Sequence, residues 1–274
     1  VGEAGDAVAE QYGAFRDHGP SYAYDSGGVQ MGVDLLRRTA DDGSRNMAGF
    51  YLGYGELRSR VNAVYGGRSG RTTLEGTSLG VYWTHKDEKN RYLDAVLQAS
   101  RYDVTGVFDQ GRGFSTDGSS YSASVEVGAP FRLDDHWRLE PQGQLIYQHV
   151  AVDQTQDAFG LVDYEDAEAL YGRLGARLAR NWVSSSGMNR MAWARFNVWH
   201  DFDNQATTQI SSLAGNDPVA LQTDLGGTWG QLQLAVSSQL DQRFSVFASG
   251  DYNFAFEDGR GDGFGGRIGL RMVW

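Results

Sequence analysis

The side chains that could perform chemistry in this chain are few and form no recognisable catalytic motif. The five histidines are His18, His85, His136, His149 and His200. Asp201 follows the last of them, but adjacent residues on a strand point to opposite faces of the sheet. There is no Gly-x-Ser-x-Gly elbow, His-Glu-x-x-His motif or phosphate-binding loop. We therefore predict no catalytic residues. A hydrolase site that only the fold assembles stays open as an alternative.

Residues 151–168 hold a second concentration of reactive groups. The segment contains no Lys or Arg, and its acidic residues are Asp153, Asp157, Asp163, Glu165, Asp166 and Glu168. Several carboxylate oxygens could attract Ca²⁺, but the spacing does not match an EF-hand loop. We interpret the segment as a solvated acidic loop. With no cysteine in the chain, disulfides and cysteine metal sites are excluded, and we expect neither a metal nor a cofactor.

Composition narrows the class of protein. The 274 residues carry 24 Lys and Arg against 35 Asp and Glu, a net charge of −11 that argues against a nucleic-acid partner. Mean hydropathy is −0.46, and no stretch approaches the roughly 18 consecutive apolar residues that a membrane helix needs. A soluble β protein and an outer-membrane β-barrel both fit, because a barrel alternates apolar and polar residues and its average is unremarkable.

Alternation with a period of two recurs along the chain and predicts strands. At the C-terminus, Phe264, Ile268, Leu270, Met272 and Trp274 share one face, with Arg267 and Arg271 on the other. Eleven strands are predicted, near 27–38, 46–64, 72–85, 91–104, 119–131, 137–150, 167–183, 189–202, 223–239, 243–256 and 264–274. Bacterial single-chain barrels have an even number of strands, so we place a twelfth at about Val8–Asp17.

Two features favour a membrane barrel over a soluble sandwich. Aromatic residues gather at strand ends, as in the girdles of outer-membrane barrels. Short connections, near 39–45, 86–90, 132–136, 184–188 and 240–242, alternate with longer ones, near 105–118, 151–166, 203–221 and 257–263. We therefore predict an all-β fold, a 12-stranded antiparallel transmembrane β-barrel of the bacterial outer membrane.

The polar face of these strands would line the lumen of the barrel. Its predicted lumen-facing residues are Asp34, Glu126, Arg138, Glu140, Gln142, Gln144, Arg173, Arg177, Asp251, Arg267 and Arg271. Two interpretations are open: a polar conduit that passes a peptide, or charges that pair across the lumen and hold the shape of the barrel. For any single residue the second is favoured. In 189–202 we place Trp193 and Trp199 on the lumenal face and Phe196 on the lipid-facing one, with the reverse assignment open as an alternative.

Four segments resemble the translocator domain of pertactin/AIDA-type autotransporters: Gly28–Leu35, Tyr92–Gln98, Trp137–Tyr147 and Gly265–Trp274. The resemblance runs over about 27–274, and its most specific parts are Glu-Pro-Gln-x-Gln-Leu at 140–145 and the terminal aromatic residue. It implies a barrel domain over 8–274 and a remnant of a linker at 1–7. It also implies a barrel that anchors the protein and assists secretion of its own N-terminal passenger to the cell surface.

The resemblance also implies partners. They are the passenger and a linker segment in the lumen, outer-membrane lipid and lipopolysaccharide, and the barrel-assembly machinery. That machinery would read the last strand, through Phe264, Ile268, Leu270, Met272 and Trp274, with the C-terminus on the periplasmic side. We expect a monomer that is not an enzyme. No adjacent Asn-Asn pair of the self-cleaving branch is present, and Val1–Glu10 is too short to plug a pore. An outer-membrane hydrolase and a passive small-solute pore are the alternatives.

Overall fold

The computed structural model of the chain consists of antiparallel β-strands and their connections. It describes residues 21–62, 68–108, 113–156, 160–185, 187–211, 219–224, 227–241, 243–256 and 262–272. In this part of the chain no helix is long and apolar enough to cross a membrane. The strands are β1 Ser21–Thr39, β2 Arg45–Asn62, β3 Arg68–Lys86, β4 Tyr92–Phe108, β5 Gly113–Gly128, β6 Phe131–Arg132, β7 Trp137–Val152, β8 Thr155–Gln156, β9 Leu161–Tyr164, β10 Ala167–Val183, β11 Asn189–Ser211, β12 Val219–Asp224, β13 Gly227–Gln239, β14 Phe244–Ala255 and β15 Gly263–Met272.

Eleven of these strands form one antiparallel meander, in which each strand pairs with the next of the eleven. The order is β1-β2-β3-β4-β5-β7-β10-β11-β13-β14-β15, and β6, β8, β9 and β12 lie off this path. The eleven predicted strands are confirmed, and β10 has the predicted bounds, Ala167–Val183. The twelfth, at Val8–Asp17, lies outside the described residues.

The sheet curls until its first and last described strands approach each other. Arg271 Nη2 of β15 lies 3.7 Å from Asp34 Oδ2 of β1. Side chains elsewhere meet across one intervening strand in the same way: Tyr51 Oη of β2 donates to Gln98 Oε1 of β4 at 2.7 Å. Since neighbouring strands lie about 4.8 Å apart, such contacts form only on the concave face. The opening between β1 and β15 is therefore narrow enough for one arginine side chain to cross it.

The two faces of the sheet differ as the alternation predicts. Large apolar side chains cover the convex face and are exposed, reaching 92% exposure for Phe264 and 90% for Ile268. Few apolar side chains are buried anywhere in the described residues, whereas Glu140, Gln142, Arg173 and Asn197 are buried on the concave face. This is the inverse of a soluble fold and is typical of a barrel whose outer surface faces lipid.

Five short turns connect neighbouring strands at one end of the barrel, which we call the short-turn end. Three of them place a residue with positive φ at the same position: Gly43 at 82°, Asn90 at 63° and Gly187 at 78°. Such a residue is what a short hairpin connection with a type I turn requires. In a fourth turn, Asp134 Oδ1 accepts the backbone N–H groups of His136 and Trp137, each at 2.7 Å. These two hydrogen bonds hold the pKa of Asp134 below its usual value, so its carboxylate stays ionised and keeps accepting at neutral pH.

The opposite end differs from the prediction, because strands extend where long loops were expected. β4 and β5 run into the predicted loop at 105–118, and β11 continues to Ser211 within the predicted loop at 203–221. The segment 151–166 contains β8 and β9 and is not a plain loop. β9 and β12 pair with the end of β11 and form a small additional sheet. In β5, Ser115, Thr116 and Asp117 put polar residues on both faces, so the apolar alternation that reveals a membrane strand is lost in this stretch.

A β-bulge in β1 determines which of two consecutive arginines lies on the concave face. The register with β2 shifts between Asp34 and Leu36, so the face alternation moves by one residue after that point. Arg37 consequently shares the concave face with Asp34 and forms an ion pair with it at 2.7 Å. A regular strand would have placed Arg38 there. The bulge explains why two consecutive leucines, Leu35 and Leu36, are both exposed on the convex face.

An acidic row crosses five strands on the convex face, beyond the apolar band and toward the end away from the short turns. Glu56 pairs in register with Glu75, Glu75 with Asp103, and Asp103 with Asp117. The row ends at Asp153, whose backbone N–H donates to the carbonyl of Asp117 at 2.8 Å. Among the described residues, only Glu56 of this row forms a direct ion pair, with Arg58, whose charge also acts on Glu75. Like charges directly opposite each other on a sheet repel, so the row lowers stability.

Neutralising the middle of the acidic row is expected to stabilise the barrel. The variant Glu75→Gln should raise the melting temperature by a few degrees at most, because like-charged cross-strand pairs cost roughly 0.2–1 kcal/mol. Thermal unfolding of the refolded protein would measure it, with Thr77→Gln as the control on the same strand and face. The gain should shrink in 1 M salt, where charges are screened. A Glu75→Gln variant less stable than the original protein would contradict the repulsion.

Candidate functional site

The concave face carries a continuous polar cluster on β5, β7, β10, β11 and β13, which we call the inner network. At its centre, Arg173 Nη2 of β10 lies 2.6 Å from Glu126 Oε2 of β5, across the intervening β7. Only 2% of the Arg173 side chain is exposed. Its Nη1 donates to Asn197 Oδ1 at 3.3 Å, and Asn197 is fully buried and donates to Gln231 Oε1 at 2.8 Å. The cluster thus links four strands through one arginine.

A second ion pair lies in the same network. Arg177 Nη2 lies 2.8 Å from Glu140 Oε2. Gln142 Nε2 donates to the other carboxylate oxygen of Glu140 at 2.7 Å and to Tyr92 Oη at 2.9 Å. The amide oxygen of Gln142 accepts from Arg195 Nη1 at 3.1 Å. Gln142 therefore uses both ends of its amide to connect β4, β7 and β11.

Tryptophan rings complete the wall on which the three arginines lie. The guanidinium of Arg173 is 5.4 Å from the ring centre of Trp199. Those of Arg177 and Arg195 are 5.9 and 5.5 Å from the ring of Trp193. Cations over the face of tryptophan are attracted by the ring quadrupole. The predicted placement of both tryptophans on the polar face agrees with these contacts.

The wall on the other side, formed by β1–β4, is lined by small residues and tyrosines. The ring of Tyr82 crosses Gly49 of the neighbouring strand and that of Tyr51 crosses Gly80, where a Cβ atom would overlap each ring. Tyr82 also donates a hydrogen bond to Asp34, which binds Arg37 and Arg271. Glycine at these positions lets the ring lie flat against the wall and cover the backbone.

The remaining predicted site residues divide into three groups. Gln144 Nε2 donates to Ser124 Oγ at 2.8 Å, and Asp251 Oδ2 accepts from Asn253 at 3.3 Å. Arg138 and Arg267 are exposed and, within the described ranges, form no hydrogen bond or ion pair. Of the predicted assembly signal, Phe264, Ile268, Leu270 and Met272 lie exposed in β15, and Trp274 is outside the described residues.

Several polar residues of the concave face were missed by the sequence interpretation. Tyr92 is in phase with Asp94 and Gln98 on β4, but as an aromatic residue it was not counted as polar. Gln231 and Gln233 accept hydrogen bonds from Asn197 and Arg195, and they alternate with leucines in a way that could have revealed them. Arg37 could not have been found, since only the bulge brings it to this face.

The histidines do not form a catalytic arrangement in the described part of the chain. His200 Nδ1 lies 2.8 Å from Thr228 Oγ1, while Asp201, on the opposite face, is buried. His149 lies between Asp166 and Glu168, at 3.5 and 3.6 Å, and stacks on Tyr121. No serine hydroxyl of the described residues hydrogen-bonds to a histidine, and no group of three acidic or histidine side chains there could hold a metal ion.

An apolar convex face around a polar, ion-paired interior defines a membrane-spanning β-barrel of the outer-membrane type. The family profile described as Autotransporter beta-domain matches residues 8–251. The chain belongs to this family.

Curated relatives and solved structures agree with the assignment. The chain is 28% identical to the adhesin BmaC autotransporter of Brucella suis over 269 residues, 93% of this chain and 8% of the relative. It is 28% identical to the pertactin autotransporter of Bordetella bronchiseptica, over 82% of this chain and 24% of the relative. The chain therefore spans a quarter or less of the length of these relatives.

Two solved structures share the fold. The beta domain of the Bordetella autotransporter BrkA superimposes with a TM-score of 0.71 at 22% identity, over 93% of both chains. The transport unit of AIDA-I from Escherichia coli gives a TM-score of 0.75 at 16% identity, over 94% of this chain and 86% of that one. The predicted resemblance to pertactin/AIDA-type translocator domains is confirmed.

Proposed function

We propose that this chain is the outer-membrane anchor and translocator of a longer protein, and that it assists secretion of an N-terminal passenger to the cell surface. The observation that carries the proposal is the family match over residues 8–251. The domain would begin at about residue 8, with 1–7 left from the linker. It would act as a conduit, without catalysis and without a cofactor.

The interior supports this role through its asymmetry. Charges concentrate on the wall formed by β5–β13, where Arg173 and Arg177 are paired with carboxylates. The opposite wall carries Gly53, Ser78 and Ser100, whose small side chains leave room for a linker segment. A barrel of twelve strands is wider than one of eight, which its own side chains fill, and narrower than one of sixteen, which encloses an aqueous channel. A segment of the passenger would occupy this space during export.

The orientation follows from the two ends of the barrel. Outer-membrane barrels have short periplasmic turns and longer extracellular connections. We therefore place the short-turn end, with Gly43 and Gly187, in the periplasm, and the C-terminus with it. The small sheet of β8, β9, β11 and β12 would be extracellular. The convex face of β15 would be read by the barrel-assembly machinery, and the band above it would contact lipopolysaccharide.

Secretion of a reporter tests the proposal. An epitope-tagged reporter and a helical linker of about 20 residues would be fused before Val1 and expressed behind a signal peptide. We expect the tag at the cell surface, accessible to added protease in intact cells. The same reporter and linker without the barrel would be the control and should stay in the periplasm. A barrel present in the outer membrane with its tag still periplasmic would contradict the proposal.

Conductance separates a translocator from a passive solute pore. In planar bilayers the chain alone should conduct more than the chain with its linker restored, since the linker would lie in the lumen. Equal conductance of the chain with and without its linker would contradict a lumen occupied by the linker. It would favour a passive solute pore.

A further inference from the structure

The convex face, which elsewhere carries large side chains, has a groove on β11, β13, β14 and β15. We call it the small-residue groove, and its floor is Ala192, Ala194, Ala248, Gly250 and Gly266. Its volume is about 1260 Å³. In the row above it, Phe196, Leu232, Tyr252 and Phe264 face each other across the same strands. On β13, Leu234 and Val236 lie between the alanines of β11 and the small residues of β14 and β15. The groove therefore consists of small residues on either side of these two side chains, on a surface that faces lipid.

Two arginines lie at the edge of this groove. Arg180 is directly opposite Ala192, and Arg190, two residues before Ala192, is its diagonal neighbour. Diagonal residues on a sheet have their Cβ atoms about 7–8 Å apart, within reach of one shared ligand for side chains this long. Both arginines are exposed, and in the described ranges neither forms a direct ion pair, while the charge of Arg180 acts on the nearby carboxylate of Asp134. Arg180 lies 5.6 Å from the ring of Trp137.

The position of the arginines makes their charge costly unless it is compensated. Arg180 is three residues from the end of β10 and Arg190 is one residue into β11, both at the short-turn end. Arginine on the lipid face of a barrel costs about 2–4 kcal/mol at the midplane of the bilayer and less near the interface. A phosphate at this depth would neutralise both charges, and tryptophan beside them is typical of the headgroup level.

We propose that the groove binds one phospholipid with a negatively charged headgroup. One acyl chain lies over Ala194 and the other over Gly250, on the two sides of Leu234, and the phosphate lies between Arg180 and Arg190. The occupant must be a lipid, because this face meets the bilayer and the groove runs along it. Placing that lipid in the periplasmic leaflet rests on the orientation proposed above. Headgroup charge complementarity selects an anionic lipid over a zwitterionic one, since neither arginine forms a direct ion pair in the described residues.

Lipid retention by the refolded 274-residue chain tests this site. Native mass spectrometry would be run from micelles holding equal amounts of phosphatidylglycerol and phosphatidylcholine. We expect one phosphatidylglycerol to be retained in preference. Arg180→Gln and Arg190→Gln should each lower the ratio of the two lipids about fivefold, equivalent to about 1 kcal/mol per arginine. Arg38→Gln is the matched control, an exposed arginine at the same end of β1 with no groove beside it.

Variants that fill the groove test the role of its shape separately from the role of its two arginines. A Cβ atom at Gly250 or Gly266 meets nothing closer than 3.8 or 3.7 Å, so a side chain can be added at both positions. The double variant Gly250→Val, Gly266→Val should lower retention of both lipids with little change in their ratio. All variants should display the tagged reporter normally, so failure of lipid binding would not be confused with failure of secretion.

Three outcomes would overturn the proposal. Equal retention of the two lipids would remove the headgroup selectivity. If lipopolysaccharide is added and is retained in preference to phosphatidylglycerol, the arginines bind the phosphates of lipid A. The groove would then face the other leaflet. A lipid-free dimer that the valine variants disrupt would make the groove an interface between two copies of the chain.

Discussion

Replacing Arg173 with Met is expected to lower the free energy of unfolding by about 3–5 kcal/mol. The variant leaves the carboxylate of Glu126 on the inner wall without its 2.6 Å partner. It also removes the hydrogen bond to Asn197 and the contact with Trp199. Breaking one side of a buried ion pair costs more than the pair itself contributes, because the remaining charge is poorly solvated. Urea unfolding of the refolded barrel, followed by tryptophan fluorescence, would measure the loss.

The double variant Arg173→Met, Glu126→Leu shows whether the loss comes from the unpaired charge. Replacing both partners with apolar residues of similar size is often neutral, so most of the stability should return. Arg138→Met is the control: this arginine is exposed and has no partner in the described residues, so its loss should cost less than about 1 kcal/mol. A cost below about 1 kcal/mol for Arg173→Met itself would show that the pair contributes little to the fold.

Changing Leu270 to Asp is expected to abolish assembly in the outer membrane almost completely. Leu270 is 63% exposed on the convex face and pairs with Val246 of β14. A carboxylate there would face the hydrocarbon of the bilayer, where a barrel strand carries only apolar side chains. It would also interrupt the apolar face that the assembly machinery is expected to read. The measurement is the amount of heat-modifiable barrel in isolated outer membranes.

Two further variants define the cause of the expected assembly defect. Arg267→Asn lies on the same strand but on the concave face, and it should assemble normally. Removal of Trp274 should impair assembly even though it adds no charge. Outer-membrane levels of the Leu270→Asp and Trp274-deleted proteins equal to that of the original chain would reject the assembly signal.

The pattern of apolar and polar residues was sufficient to predict the strands that cross the membrane. β10 has its predicted bounds, and Trp193 and Trp199 lie on the predicted face, because lipid on one side and polar side chains on the other impose a strict alternation. Beyond the membrane this constraint ends. Thr116 and Asp117 occupy successive positions of β5, where both faces are polar, so this stretch was taken for a loop.

The candidate site was predictable in its residue types but not in its pairs. Glu126, Glu140, Arg173 and Arg177 were all assigned to the polar face, yet their partnership depends on register. Arg173 reaches past β7 to Glu126, while Arg177 bonds the adjacent Glu140. The bulge after Asp34 is a further case, since a single extra residue changes every later assignment on that strand. Neither property can be read from a single sequence.

The meander has a kinetic consequence. Each strand on its path pairs with its chain neighbour, so each of the short-turn hairpins closes a loop of about five residues. The approach of β1 to β15 joins Asp34 and Arg271, which are 271 − 34 = 237 positions apart. Loop-closure entropy makes this last step about 3 kcal/mol more costly than a hairpin. Contacts are therefore local in sequence everywhere on this path except between β1 and β15. Bringing these two strands together is expected to limit the rate of folding.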